Sequence, residues 1–108
     1  GAKLGERVLA FNHLSHLYRD GASVYTMFLF RRLPDPDRLL ELWRAMKHAA
    51  SLTIQAHGGT ISHQHGVGVD HAQYLPAEKG RLGMDAIRAA CKTFDPDGMM
   101  NPGKLLDV

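Results

Sequence analysis

The sequence predicts an α+β fold, and three observations carry that reading. The stretch from Ser23 to Arg32 is rich in aromatic and β-branched residues, a strongly signalled helix begins at Asp35-Pro36, and a second helical period runs from Leu82 to Phe94. Strand signals lie mostly in the first third of the chain, and helical signals dominate the rest.

In chain order, Arg7 to Asn12 (Arg-Val-Leu-Ala-Phe-Asn) is a short apolar run bounded by polar residues and reads as a strand. His13 to Gly21 has polar residues at irregular spacing and closes on Asp20-Gly21, so it reads as a loop or a single helical turn. In Ser23 to Arg32 both alternating faces are apolar, one with Val24, Phe28 and Phe30 and the other with Tyr25, Met27 and Leu29. That is the pattern of a central strand covered on both sides. Asp35 is placed as a helix N-cap, Pro36 at the first helical position, and Asp37 where the helix dipole favours an anion. Leu39, Leu40, Trp43, Met46, Ala50, Thr53 and Ile54 form the apolar stripe of that helix, which should end near Ala56 with Gly58 as a left-handed cap. Thr60 to Ser62 then returns as a short strand, completing a strand–helix–strand unit that is right-handed if its strands are parallel. Pro76 opens a helical turn, and the helix from Leu82 to Phe94 presents Met84, Ile87, Cys91 and Phe94 as its buried face until Asp95-Pro96 ends it. The tail from Asp95 to Lys104 reads as an ordered loop with two proline turns.

The 108 residues suit one domain, and 44% apolar with 22% charged residues is close to the globular average. The net charge of +2 is small and the basic residues are interspersed with acids, so neither nucleic acid nor a membrane surface is expected as a partner. No apolar run approaches the length of a membrane span. The lone cysteine, Cys91, cannot form an internal disulfide, which suits a reducing, cytoplasmic setting. The chain starts with Gly1, and Gly1 to Gly5 reads as a cut inside a longer protein.

The seven histidines are the compositional oddity, and two of them lie in the stretch Gly58-Gly59-Thr60-Ile61-Ser62-His63-Gln64-His65-Gly66-Val67-Gly68. Such a composition makes poor helix and poor core, which points to something approaching the main chain closely. On an extended backbone His63 and His65 point the same way, with Gln64 opposite. Two imidazoles so placed can bind a metal, shuttle protons near neutral pH, or hydrogen-bond an anion held by the glycine backbone. His71 is near enough to join them, yet no cysteine or carboxylate completes a familiar tetrahedral set. Structural histidines capping a loop, or a stand-alone metal- or anion-binding module built on His13, His16, His63 and His65, are the other readings.

The stretch from Gly58 to Gly68, followed by Phe94-Asp95-Pro96 and Asn101-Pro102-Gly103-Lys104, resembles the C-terminal part of the FAD-linked oxidases of the vanillyl-alcohol-oxidase superfamily. His13-Leu14-Ser15-His16-Leu17-Tyr18, with Gly21 and Tyr25, is more similar to the alkylglycerone-phosphate synthase branch than to the glycolate oxidase and D-lactate dehydrogenase branch. The resemblance implies a ferredoxin-like cap-domain fragment plus a C-terminal helical tail, with FAD held mostly by a domain outside this chain. It implies an oxidoreductase or transferase acting on a small substrate, phosphorylated or lipid-derived, with oxidation of a D-2-hydroxy acid as the alternative. A cap with part of its sheet elsewhere exposes strand edges or apolar faces, so homo-oligomerisation is expected as well.

Carried over by position, the resemblance makes Tyr25 the proton-transferring residue at the substrate carbon. His63 and His65 are the outer members of a run of three catalytic histidines, with Gln64 in place of the central one. A glutamine does not exchange protons. His13 and His16 are implied to bind substrate; His65, Gly66, Gly68, Asn101 and Lys104 are implied to face the cofactor. No metal is implied. Taken without the resemblance, Tyr25 on a two-sided apolar strand is a core tyrosine, and Lys104 is a solvated lysine.

Overall fold

The computed structural model describes residues 5–106, so most of the expectation about Gly1 to Gly5 lies outside the described residues. The elements are β1 (Val8–Tyr18), β2 (Gly21–Phe30), α1 (Pro36–Ala56), a 3-10 turn (Ala72–Tyr74) and α2 (Leu75–Phe94), which bears out the α+β class. The chain divides into two compact units, Gly1–Ala49 and Ala50–Val108.

In the first unit β1 and β2 form a two-stranded antiparallel ribbon. Tyr18 pairs with Gly21, so the expected loop over residues 13–21 shrinks to Arg19 and Asp20, and His13 through Tyr18 belong to a strand. The polar residues there misled the sequence reading. A ribbon with solvent on its faces has no burial requirement to impose strict alternation, and cross-strand pairing decides instead. Asn12 and Thr26 show this: they are paired, and Thr26 Oγ1 donates to Asn12 Oδ1 at 2.6 Å. The expectation that β2 is a central strand covered on both sides is overturned, because Val24, Tyr25, Met27, Phe28 and Leu29 are all exposed.

Asp35 caps α1 as the sequence predicts, its Oδ1 accepting from the backbone N–H of Asp37 at 2.9 Å and of Arg38 at 3.4 Å. On the expected stripe Met46 is buried, whereas Leu40, Trp43 and Ile54 are exposed; Leu42 and Ser51 are buried in their stead. The helix ends at Ala56 in a Schellman motif. The Gly59 N–H donates to Ile54 O and the Gly58 N–H to Gln55 O, each at 3.0 Å, with Gly58 at φ 69°.

In the second unit residues 59–71 form bends and turns, so the expected strand over residues 60–62, and the strand–helix–strand unit with it, is absent. Thr60 and Ile61 instead spend their hydrogen-bonding groups on a side chain of α2. Pro76 opens α2 as expected. Gly80, at φ 66° and ψ 172°, breaks the element into two helical segments, in a backbone region essentially reserved for glycine. The core is Leu75, Met84 and Leu106, with Val67, Ile87 and Leu105 packed against it. Met84 and Ile87 take their expected inward places, but Cys91 and Phe94 are exposed. Beyond α2 the chain follows turns in which Asp95 accepts from the N–H groups of Met99 and Met100.

Candidate functional site

Two clusters hold the residues singled out in the sequence, one in each unit. The hairpin cluster is set by register. Val8, Ala10, Asn12 and Leu14 pair with Phe30, Phe28, Thr26 and Val24, while Leu9, Phe11 and His13 pair with Leu29, Met27 and Tyr25. Paired residues share a face, so His13 and Tyr25 stand together, with ring centroids 5.1 Å apart and planes inclined by 34°. The ladder shifts between Leu14 and His16, and His16 pairs with Ser23. Ser23 and Tyr25 are two apart on β2, which puts His16 on the same face, and the His16 ring stacks with Tyr18 at 6.5 Å. Tyr25 is 41% exposed, enough to meet a ligand, and so it is not the core tyrosine of the plain strand reading.

The second cluster surrounds residues 58–68. His63 and His65 do not lie on an extended backbone, since Gln64 between them has φ 64°. That corrects the expectation that alternation alone aims both imidazoles one way. The left-handed region is costly for a glutamine and concentrates at sites whose surroundings enforce it. Here the Ser62 hydroxyl donates to Gly66 O and closes the turn around His63, Gln64 and His65. Gly66 and Gly68 also have positive φ, and a Cβ added at either would meet nothing within 4 Å, so the main chain is open to close approach.

Two anchors fix this turn. At its start the Glu78 carboxylate accepts from Thr60 Oγ1 at 2.8 Å, from the Ile61 N–H at 3.3 Å and from Lys79 Nζ at 2.9 Å. Burial works to raise the Glu78 pKa, but the hydrogen bonds from Lys79, Thr60 and Ile61 outweigh it and hold the carboxyl below its ordinary value. At the other end the Leu105 N–H donates to Gly68 O at 3.1 Å. Leu105 has φ 65°, and Leu106 N–H donates back to Lys104 O at 2.7 Å, a γ-turn that lets Leu106 enter the core. The turn holding Asn101, itself at φ 50°, and Lys104 is therefore tied to the glycine stretch. A small, open cleft lies beside these anchors, lined by Thr60, Ser62, His71, Glu78 and Lys79 among others.

Sequence reasoning missed Glu78. Glu78 carries a local signal, an acidic residue in the first turn of a proline-opened helix, but that signal says dipole and nothing of Thr60. Among the described residues no three histidine, cysteine, aspartate or glutamate side chains gather in a group that could hold a metal ion.

The family model described as "FAD linked oxidases, C-terminal domain" matches residues 2–105, and the chain belongs to that family, whose cofactor is FAD. The alkyldihydroxyacetonephosphate synthase of Trypanosoma brucei brucei is 34% identical over 94 residues, covering 87% of this chain and 15% of its own length. That of Caenorhabditis elegans is 34% identical over 103 residues, covering 94% of this chain and 17% of its own. The glycolate oxidase subunit GlcD of Bacillus subtilis (strain 168) is 46% identical over 48 residues, 44% of this chain and 10% of its own. The chain thus spans under a fifth of the length of these relatives. No solved structure matches. Among the described residues no helix is long and apolar enough to cross a membrane.

Proposed function

We propose that this chain is the substrate- and flavin-facing C-terminal part of an FAD-dependent enzyme of the alkylglycerone-phosphate synthase type, forming an ether bond on a phosphorylated, lipid-derived substrate. The observation that carries the reading is extent. The synthase relatives align over 87% and 94% of the chain, the glycolate oxidase subunit over 44%.

In this reading FAD, when bound, supplies the electron sink for the substrate carbon. Gly66 and Gly68, open at the Cβ position, admit a flat or anionic group to the main chain, and His65, Asn101 and Lys104 line the same approach. Tyr25 moves the proton at the reacting carbon, and His13, its cross-strand partner with ring centroids 5.1 Å apart, is the neighbour assigned to relay it. His13 and His16 hold the substrate, and His63 and His65 exchange protons on either side of Gln64. A cytoplasmic setting and self-association through the exposed ribbon belong to the same proposal.

The test is to purify the full-length enzyme and look for bound yellow flavin; a preparation that stays colourless when FAD is added refutes the reading. Formation of an alkyl ether of dihydroxyacetone phosphate by that enzyme then supports the synthase type. The second reading, a D-2-hydroxy acid dehydrogenase, is favoured by the higher local identity to the Bacillus subtilis protein, and D-lactate bleaching the flavin would establish it.

A further inference from the structure

We infer that Glu78 is a positioning residue for the proposed reaction, holding Thr60 and Ile61 so that His63 and His65 stand where they meet the substrate. The inference rests on the proposed reading of the histidine turn as facing flavin and substrate. The turn is a short segment whose place depends on its two ends. Before it, the chain leaves α1 tightly packed, since a Cβ at Gly59 would meet Ile54 Cγ2 at 3.0 Å. Beyond it, Gly68 is held through the Leu105 N–H. Ser62 bonds to Gly66 O within the turn, which sets the shape of the turn but not its place. Thr60 Oγ1 donates to Glu78 Oε1 and the Ile61 N–H to Glu78 Oε2, at 2.8 Å and 3.3 Å. Among the described residues these two bonds tie the leading limb of the turn to the rest of the second unit, and His63 follows Ile61 by two residues.

Glu78 is itself fixed. It stands in the first turn of α2, where Leu75 enters the core and the Tyr74 carbonyl accepts from Gln55 Nε2 at 2.8 Å. Its side chain is 20% exposed, so water competes little for the carboxylate. Lys79 Nζ donates to the same Oε1 that Thr60 uses, and an ionised acceptor makes the stronger hydrogen bond. With both oxygens engaged, one carboxylate holds two consecutive residues. A glutamine offers one acceptor, and its NH2 would face a donor at Ile61 or at Lys79. Proton exchange by a histidine requires hydrogen-bond reach, and misplacement by about 1 Å costs on the order of 10²-fold in rate. Glu78 thus acts on the reaction through Thr60, Ile61 and the two imidazoles.

The experiment is steady-state kinetics of the full-length enzyme, read as flavin bleaching by D-lactate or as alkyl ether formation. Thr60→Val removes the hydroxyl at nearly constant volume and is expected to lower kcat about 10-fold or more with KM changed by less than about 2-fold. Thr60→Ser, which keeps the hydroxyl, is expected to restore kcat. Glu78→Gln should show the same split, and Thr60→Val should add little to it, because both substitutions break one link. Asp35→Ala, which removes the α1 cap, should lower stability and leave kcat unchanged, so lost stability alone does not imitate the result. Wild-type kcat in Thr60→Val and Glu78→Gln while His63→Gln lowers it, or a loss that Thr60→Ser does not restore, overturns the inference. Failure of the underlying reading registers separately. If His63→Gln and His65→Gln both keep wild-type kcat, the turn is not catalytic and the positioning role falls with it.

Discussion

Glu78 concentrates three interactions that the rest of the histidine turn depends on, and its protonation has a definite sign. Its pKa is depressed in the folded chain, so its contribution to stability is present above the ordinary glutamate value of 4.5 and is lost as pH falls through the lower folded value. Stability measured by urea unfolding between pH 3 and pH 6 should accordingly drop on the acid side, and Glu78→Gln should flatten that dependence. At neutral pH the same substitution is expected to cost about 1 kcal/mol, since Gln keeps an acceptor for Thr60 or Ile61 but loses the charge. At Tyr25 the expected outcome is different in kind. Tyr25→Phe should leave stability unchanged, the residue being 41% exposed, while turnover by the full-length enzyme falls by about 10²-fold or more. A Tyr25→Phe enzyme as active as wild type would remove Tyr25 from the mechanism.

Among the elements, the span of α1 was readable because both of its ends are local, whereas its buried face was not. Asp35 reaches N–H groups two and three residues on, and Gly58 and Gly59 reach back to Gln55 and Ile54. Asp35→Ala and Gly58→Ala should each lower stability by about 1 kcal/mol in denaturant titrations. Gly80→Ala should cost more, about 1–3 kcal/mol, because φ 66° with ψ 172° excludes a Cβ-bearing residue rather than merely disfavouring it. Met84→Ala, at the centre of a core with few other buried side chains, is expected to lose about 2–3 kcal/mol. The ribbon behaved otherwise. Its register, with the bulge at Ser15, depends on pairs of residues up to 22 positions apart, from Tyr18 with Gly21 out to Val8 with Phe30, about which a reading of β1 by itself has nothing to say.

For the whole molecule the prominent feature is apolar surface left in solvent. Leu9, Phe11, Leu14, Leu17, Val24 and Leu29 are each about half exposed or more, on both faces of a ribbon too narrow to bury them. The isolated 108-residue chain should therefore self-associate, with sedimentation showing species larger than a monomer that shrink on Phe11→Ser with Leu29→Ser. It should also fail to retain FAD after gel filtration; a stoichiometric yellow complex would show that the cofactor contacts assigned elsewhere lie within these residues. The sequence by itself determined the α+β class, the span and both caps of α1, the left-handed Gly58, and the motif order that carries the family. All of these rest on neighbours a few residues apart or on residue identity alone. Only the tertiary structure decided that His13 to Tyr18 form a strand, that a bulge turns His16 toward Tyr25, and that Glu78 and Leu105 hold the two ends of the histidine turn. The physical reason is common to these cases: pairing and hydrogen bonding across long sequence separations select among local conformations whose intrinsic energies differ by less than the contacts they enable.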